Sequence, residues 1–477
     1  MAWASKSPLA FFIFIGLVPI LIAESINVYS SIYIRIIFGF LFFLSLHCFN
    51  GTILGYSLLF TVKVYLVNSL VCSIPWFIYV VAKQRWGHYY GIFLLNIVWL
   101  SFEYIHSHWV LALPWFCLGN ALSGNIAMLQ WIEYTGIAGV SLWILVLNSI
   151  IYELIISIKY QNNLKSIFIL FPIIFILLFA PIIISNNILF SVKGKLANLA
   201  LISINESPKA LIKTSFDLIQ NTTFASIDST TKIIIWPEGS TSTKVSEKKM
   251  YAKNSFLKIK MDANTWKRTW VIGSILYDSQ KRYYNSALIF SPNKKPAYYN
   301  KKYLVPFVEY IPDFKFTRTS FILENNEFFL TSGANANVNP DMEISIAICY
   351  ETLFGEWIAK RKKLNPHMIA ILSNESWCMG ISNELLQITS LRAIETRKYI
   401  ARSTINGIPA IIDSNGRITR TSFTVDNTAK ISCHKGFVLL NNYQSFYSKH
   451  GDYLGEAATL IGIFMILMLS IKDIFHK

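Results

Sequence analysis

The chain has 477 residues, is 53% hydrophobic with a mean hydropathy of +0.43, and carries a formal net charge of +16. That hydropathy excludes an ordinary soluble protein. The positive charge raises nucleic acid as a partner. No zinc-finger, helix-turn-helix or RNA-binding signature accompanies it, and juxtamembrane Lys and Arg facing anionic lipid headgroups account for it more simply.

The apolar excess is not uniform. Residues 8–187 are dominated by apolar blocks, residues 195–450 read as a normal globular domain, and a last apolar block runs from about Ala457 to Ile471. A bilayer core needs about 20 apolar residues as helix. Spans are expected near 8–24, 31–48, 61–82, 88–107, 135–157, 166–186 and 455–472, which sets domain limits of 1–190 for a helix bundle, 195–450 for a soluble domain and 455–472 for a terminal helix. Alternation of the spans sends Arg35, Lys83, Arg85, Lys159, Lys165, Lys472 and Lys477 to one side, whereas the loops around 49–60 and 108–134 carry no Lys or Arg. Positive residues mark the cytoplasmic side, so the 195–450 domain is expected outside it, in the periplasm of a Gram-negative cell. The same count puts the N-terminus outside beside Lys6, against the trend. The first block leads straight into others and lacks an A-x-A site, unlike a cleavable signal peptide.

Two features stand out among the spans. Glu103 and His106 lie three apart near a helix end, where they either satisfy each other or serve a function. Trp115 sits in the loop Pro114–Asn120, as an interfacial aromatic or a functional one.

In the soluble stretch, short apolar runs recur at 198–203, 233–236, 270–276, 285–290, 344–349, 368–373 and 409–412. Helix-compatible stretches such as 245–262 and 383–398 separate them. This predicts an α/β domain with sheets covered by helices. Two β-branched runs end in chemistry-bearing residues: Ile233-Ile234-Ile235 runs into Trp236-Pro237-Glu238, and Ile344–Ile348 runs into Cys349-Tyr350-Glu351. Between them lies Asn300-Lys301-Lys302-Tyr303-Leu304-Val305-Pro306-Phe307. An isolated Cys is usually a small buried hydrophobe, and Glu238 alone reads equally as a loop cap. Together they read as acyl-transfer chemistry. A thiol needs a base, a carboxylate takes its proton, and an ammonium steadies charge on a tetrahedral intermediate. Either Lys301 or Lys302 suits the last role, and Glu309 suits the role of its counter-charge. The six cysteines show no CxxC and no metal-ligand spacing, so neither a disulfide framework, nor a zinc site, nor a cofactor is expected.

At these residues the chain resembles the carbon–nitrogen hydrolase (nitrilase) superfamily and, with its apolar blocks, the membrane-embedded apolipoprotein N-acyltransferases within it. The resemblance rests on Trp-Pro-Glu, Lys-x-x-Leu-Val-Pro-Phe-x-Glu and Ile-Cys-Tyr-Glu in this order. It is extended by Gly16-Leu17-Val18-Pro19, Pro114–Asn120, Glu133-Tyr134-Thr135-Gly136, Arg402-Ser403-Thr404-Ile405-Asn406-Gly407 and Gly451-Asp452. It implies a polytopic α-helical membrane domain with an αββα nitrilase-like domain, and Glu238 as base, Lys301 as transition-state stabiliser and Cys349 as nucleophile. It puts Trp236, Glu309, Tyr350, Glu351, Asn374, Trp377 and Trp115 in supporting or substrate-contacting positions. The implied reaction moves an acyl chain from a membrane phospholipid, through a Cys349 thioester, to the α-amine of an S-diacylglyceryl-cysteine on a bacterial apolipoprotein.

The chain departs from the pattern in places. Val308 replaces a usual Gly, Asn374-Glu375-Ser376-Trp377 replaces Asn-Asp-x-Trp, and seven spans replace eight, which implies that a first helix is missing. Two other readings compete: a membrane-tethered nitrilase-type amidase, for which one anchor would suffice, and a non-catalytic membrane scaffold, which would be expected to have lost a member of the triad. The apolar strips Phe321-Ile322-Leu323 and Phe328-Phe329-Leu330 favour a lipid substrate.

Overall fold

The computed structural model describes residues 8–26, 31–48, 58–159, 165–188, 190–191, 193–206, 216–241, 245–246, 254–306, 308–310, 329–333, 343–360, 366–376, 379–419, 422–424 and 430–475. The chain divides into two compact units, Met1–Leu189 with His450–Lys477, and Phe190–Lys449.

The first unit is helical: α1 (Val18–Ile26), α2 (Ile32–Cys48), α3 (Leu58–Cys72), α4 (Ile74–Trp86), α5 (His88–His108), α6 (Ile132–Lys159), α7 (Lys165–Asn187) and a C-terminal helix, Tyr453–Phe475. Among the described residues, Leu9–Ile26, Tyr65–Trp86, Ile132–Lys159 and Lys165–Asn187 are long and apolar enough to cross a membrane. The expected span at 61–82 falls largely on Tyr65–Trp86, where α3 and α4 meet at Ser73. Pro75 at the start of α4 removes a backbone donor, and Ser73 absorbs the break through its N–H to the Ser69 carbonyl at 3.0 Å. α7 turns Phe168, Phe171, Phe175 and Ile176 outward, as a lipid-facing helix does.

Two charges expected in loops are not loop charges. Arg35 lies in α2 and Lys83 in α4, and both pair with the fully buried carboxylate of Glu24 in α1. Tyr79 Oη also donates to Glu24, at 3.0 Å. A carboxylate inside a helix bundle needs such partners.

In the second unit, thirteen strands among the described residues form two layers. The first follows the order β12 (Ser422–Thr424), β13 (Ile431–Leu440), β1 (Lys195–Ile204), β2 (Thr231–Ile235), β4 (Thr269–Tyr277), β5 (Tyr283–Phe290), β6 (Ala297–Asn300), with β3 (Val245–Ser246) beside β4. The second is β7 (Ile344–Ile348), β8 (Met368–Asn374), β9 (Tyr399–Ile405), β10 (Ala410–Ile412), β11 (Ile418–Thr419). They join where Ile204 pairs with Ile405.

Side-chain alternation along the strands builds the layers. Leu199 and Leu201 of β1 point into the interior shared with Ile346, Ile348, Ala370 and Ala401 of the second layer. Ala200 and Ile202 point the other way, against α8 (Phe216–Ser226) and α9 (Asn254–Trp266). Phe256, Ile259 and Ala263 of α9 recur at helical spacing to meet them. Ala347, Ile369 and Ile371 face α10 (Ser382–Thr396) on the far side of the second layer. Both faces of both layers are covered, which is why these strands read as continuous apolar runs. The arrangement is an αββα sandwich.

β1, β2 and β4 run parallel, as do β7, β8 and β9. The C-terminal ends of β2, β7 and β8 carry Glu238, Cys349 and Asn374. The turn after β2 lies against the backbone of β4 at Gly273, where a Cβ would meet the Pro237 carbonyl oxygen at 2.1 Å. Gly273→Ala should therefore push the Glu238 turn outward and cost about 1–3 kcal/mol, read as a lower unfolding midpoint of the purified protein. An unchanged midpoint would mean that the turn has slack.

Candidate active site

Glu238 follows β2 in a turn and is buried at 8% exposure. Lys301 lies just past β6, and its N–H donates to the Asn285 carbonyl of β5 at 2.8 Å. Its side chain is 1% exposed. The ammonium donates to Glu309 Oε1 at 2.9 Å and to Glu238 Oε1 at 3.3 Å. Asn285 Nδ2 donates to the same two oxygens, at 2.9 Å and 2.6 Å. Glu238 Oε2 accepts from the Asn374 backbone N–H at 2.7 Å, and Glu309 Oε2 accepts from the Val305 N–H at 2.7 Å. One cation, one carboxamide and two backbone donors thus hold two carboxylates together.

Cys349 starts a short 3₁₀ turn, Cys349–Leu353, directly after β7. Its φ of +49° lies in the left-handed region, which costs a non-glycine residue about 1–2 kcal/mol. Such outliers persist where surrounding contacts hold them and cluster at functional sites. The buried thiol lies 3.8 Å from the Asn374 carbonyl oxygen, and Glu238 and Lys301 are the charged groups that act on it.

These contacts set the electrostatics. Burial, then the charge of Glu238, push the Cys349 thiol up to about 12, against a lowering by Lys301. Burial raises Glu238 above the ordinary carboxylate range, with Lys301 opposing and Glu309 adding to the rise. Burial alone would lower the Lys301 ammonium, but Glu238 and Glu309 outweigh it and hold it above the ordinary lysine range. The resting site therefore holds a charged ammonium, a protonated thiol and a carboxylate of enhanced basicity that acts on that thiol through its charge.

Of the two lysines, Lys301 is the one inside. Lys302 contributes its backbone N–H, which donates to Glu351 Oε1 at 2.7 Å. Glu351 is fully buried and also accepts from Tyr299 Oη at 2.5 Å, the Tyr303 N–H at 3.3 Å and, through Oε2, the Ile348 N–H at 2.8 Å. It ties the Lys301 segment to the Cys349 turn without facing the thiol. Tyr350 is buried beside Phe354, ring centroids 5.4 Å apart and edge to face. Burial raises its hydroxyl above the ordinary tyrosine range.

Asn374 contributes its backbone to the site, while its Oδ1 accepts from Ser376. Trp236 is corrected to a core residue: it is fully buried among Phe216, Phe256 and Trp270 on the helix side of the first layer, whereas Cys349 belongs to the interior between layers. Trp115 belongs to the helical unit, in a 3₁₀ turn Pro114–Phe116 whose Trp115 carbonyl accepts from Asn120 at 3.1 Å. Trp377, Phe307 and the strips at 321–323 and 328 lie outside the described residues. The Val308 N–H closes a turn onto the Val305 carbonyl at 3.2 Å.

Sequence reasoning passed over Asn285. Its signal was present, as a lone carboxamide in the apolar strand Tyr283–Phe290. Arg402 and Glu375 were also passed over as a pair; they meet in a buried ion pair beside Asn374.

Residues 1–150 match the family described as "Apolipoprotein N-acyltransferase N-terminal domain", and residues 197–432 match the family "Carbon-nitrogen hydrolase". Among curated relatives, the chain is similar to a protein of Wigglesworthia glossinidia brevipalpis named apolipoprotein N-acyltransferase, 29% identical over 76% of this chain and 74% of that one. A protein of the same name from Geobacter metallireducens is 26% identical over 87% and 82% of the two chains. A third, from Chlorobaculum tepidum, is 24% identical over 85% and 82%.

The site's electrostatics are testable without a substrate. Alkylation of Cys349 by iodoacetamide, followed by mass spectrometry of its peptide, should be slow at neutral pH and still rising at pH 10, because the thiol is held up to about 12. Lys301→Met removes the one charge that lowers it and should slow alkylation further. A plateau reached by pH 8 would contradict this picture.

Proposed function

The chain belongs to the apolipoprotein N-acyltransferase family, of the carbon–nitrogen hydrolase superfamily, and we propose that it transfers an acyl chain from a membrane phospholipid to the α-amine of a diacylated apolipoprotein through a Cys349 thioester. The observation that carries this reading is the buried Lys301–Glu238 pair, joined to Cys349 through the Asn374 backbone that both Glu238 and the thiol meet, within a chain whose other unit is built of apolar helices.

In the first half-reaction, the thiol proton passes to Glu238 as Sγ attacks the ester carbonyl. The raised basicity of Glu238 favours this step. Lys301 keeps two protons on Glu238 and Glu309, and its third faces the negative charge that develops on the carbonyl oxygen. The C–O bond breaks, Glu238 returns the proton to the leaving lysophospholipid oxygen, and the thioester remains. In the second half, the α-amine attacks the thioester carbonyl and passes a proton to Glu238. The C–S bond breaks, the proton returns to Cys349, and an amide leaves.

The apolar unit favours this reading over a tethered amidase of soluble compounds. An acyl chain drawn into water is opposed by about 0.8 kcal/mol per CH₂, so an enzyme acting on lipid esters works where the chains already are. We place the catalytic unit outside the cytoplasm, in the inner membrane of a Gram-negative cell. The support is that Arg85, Lys159 and Lys165 lie at the connected ends of α4, α6 and α7.

Purified protein incubated with phospholipid should carry an acyl adduct on the Cys349 peptide, lost when a diacylglyceryl-cysteinyl peptide is added and absent in Cys349→Ala. Glu238→Gln should lower kcat/KM by about 10²–10⁴-fold. Because Glu238 must be ionised to act and burial raises it, the acid limb of kcat/KM should lie above the ordinary value of 4.5. Turnover by the Ala variant, or an adduct released only to water, would overturn the reading.

Topology has its own measurement. A Cys introduced at Lys294, which is exposed, should react with an impermeant maleimide added to intact spheroplasts. One introduced at Lys159 should react only after lysis. The opposite pattern would place the catalytic unit in the cytoplasm.

A further inference from the structure

The helical unit contains two apolar cavities that share a wall. One, of about 240 Å³, is lined by Leu17, Phe43, Trp99 and Leu118 among others. The second, also about 240 Å³, lies between α4, α5 and the C-terminal helix, with Ile78, Val98 and Ile463 in its walls. Phe102 and His106 line both. Their rings stack at 5.3 Å with 13° between planes and form the partition.

The partition carries one unmet polar group. His106 is 7% exposed. The Leu113 N–H donates to its Nε2 at 3.3 Å, so Nε2 is the lone-pair nitrogen and the proton sits on Nδ1. Nδ1 has no hydrogen-bond partner among the described residues. Glu103, the other ionisable group on the first cavity, is already engaged by the Leu118 N–H at 2.8 Å and by Trp99 Nε1 at 3.2 Å. A buried donor without an acceptor is costly, and apolar cavities do not hold water. The complementary occupant has two apolar arms and one hydrogen-bond acceptor where they meet.

We propose that a diacyl phospholipid of the bilayer sits astride the Phe102–His106 partition, with one acyl chain in each cavity and an ester carbonyl accepting from His106 Nδ1–H. The outward Phe and Ile side chains of α7 suit a unit surrounded by bilayer phospholipid. Every residue lining the two cavities belongs to the helical unit, so this lipid is bound independently of the Cys349 chemistry and the proposal stands without the acyl-transfer reading.

The test uses the full chain carrying Cys349→Ala, which cannot form the thioester, in vesicles of phosphatidylethanolamine with a diazirine in each acyl chain. Cross-links should fall on peptides containing Leu17 and on peptides containing Ile463, with yields above those on α7, whose outward face meets bulk lipid. His106→Phe keeps the ring partition and removes the donor, and should lower both yields roughly three- to tenfold, the worth of one neutral hydrogen bond. Should that variant fail to fold, Ala121→Phe fills the first cavity and should deplete cross-links there. Yields equal to those on α7, labelling of one cavity alone, or yields unchanged in both variants would overturn the proposal. So would a diacylglyceryl peptide, rather than phospholipid, bound at these cavities in the purified protein.

Discussion

A lysine ammonium removed from water is the constraint around which the catalytic unit is organised. Lys301 is 1% exposed, and an unpaired charge at that depth is prohibitive. Two carboxylates meet it, which leaves one negative charge in excess. That excess is spread over Asn285, the Asn374 N–H and the Val305 N–H, and it appears as the raised affinity of Glu238 for a proton. The group that stabilises the cation is therefore also a group of raised basicity near the buried thiol. Burial is the larger cause of that rise, and the second carboxylate adds to it.

The same accounting explains the backbone. Cys349 adopts its left-handed conformation at a strand end because the residues around it are held independently. Glu351 takes the N–H before the cysteine and the N–H groups of Lys302 and Tyr303 across the interior. One fully buried carboxylate thus fixes the spacing between the strand that ends in Cys349 and the segment that carries Lys301. Gly333 lets a further segment close over this point: a Cβ there would meet the Asn300 carbonyl oxygen at 2.4 Å, and its N–H donates to the Lys301 carbonyl at 2.8 Å.

Much of this was legible in the sequence, for physical reasons. Runs such as Ile233-Ile234-Ile235 and Ile344–Ile348 are apolar on both faces because both faces are covered, so strands and their chemistry-bearing ends stood out together. β9 did not, because Tyr399–Ile405 contains Arg402, Ser403 and Thr404, polar residues that are buried in the fold. Only tertiary partners such as Glu375 make that possible. Trp236 misled through adjacency: it precedes Glu238 by two residues, yet alternation and the turn at Pro237 send its ring to the opposite face of the layer. The charges of Arg35 and Lys83 misled as positive-inside signals because their partner, Glu24, is distant in sequence and sits within an apolar block.

The site alone does not choose between hydrolysis and transfer. A thioester beside a carboxylate of raised basicity is open to water and to an amine alike, because the base serves either nucleophile in the same way. What differs is which nucleophile is present when the thioester forms and how long the thioester must wait for it. A soluble amidase meets water at once. An acyl chain of bilayer length keeps its enzyme at the lipid boundary, where the acceptor that shares that boundary arrives by lateral encounter. An acceptor amine attached to a lipid anchor is thereby concentrated in the same layer as the thioester, an intramolecular-like advantage that water loses when the surroundings are apolar. Transfer is then favoured by apolar surroundings, and the outward Phe and Ile side chains of α7 are what a chain working in such surroundings needs.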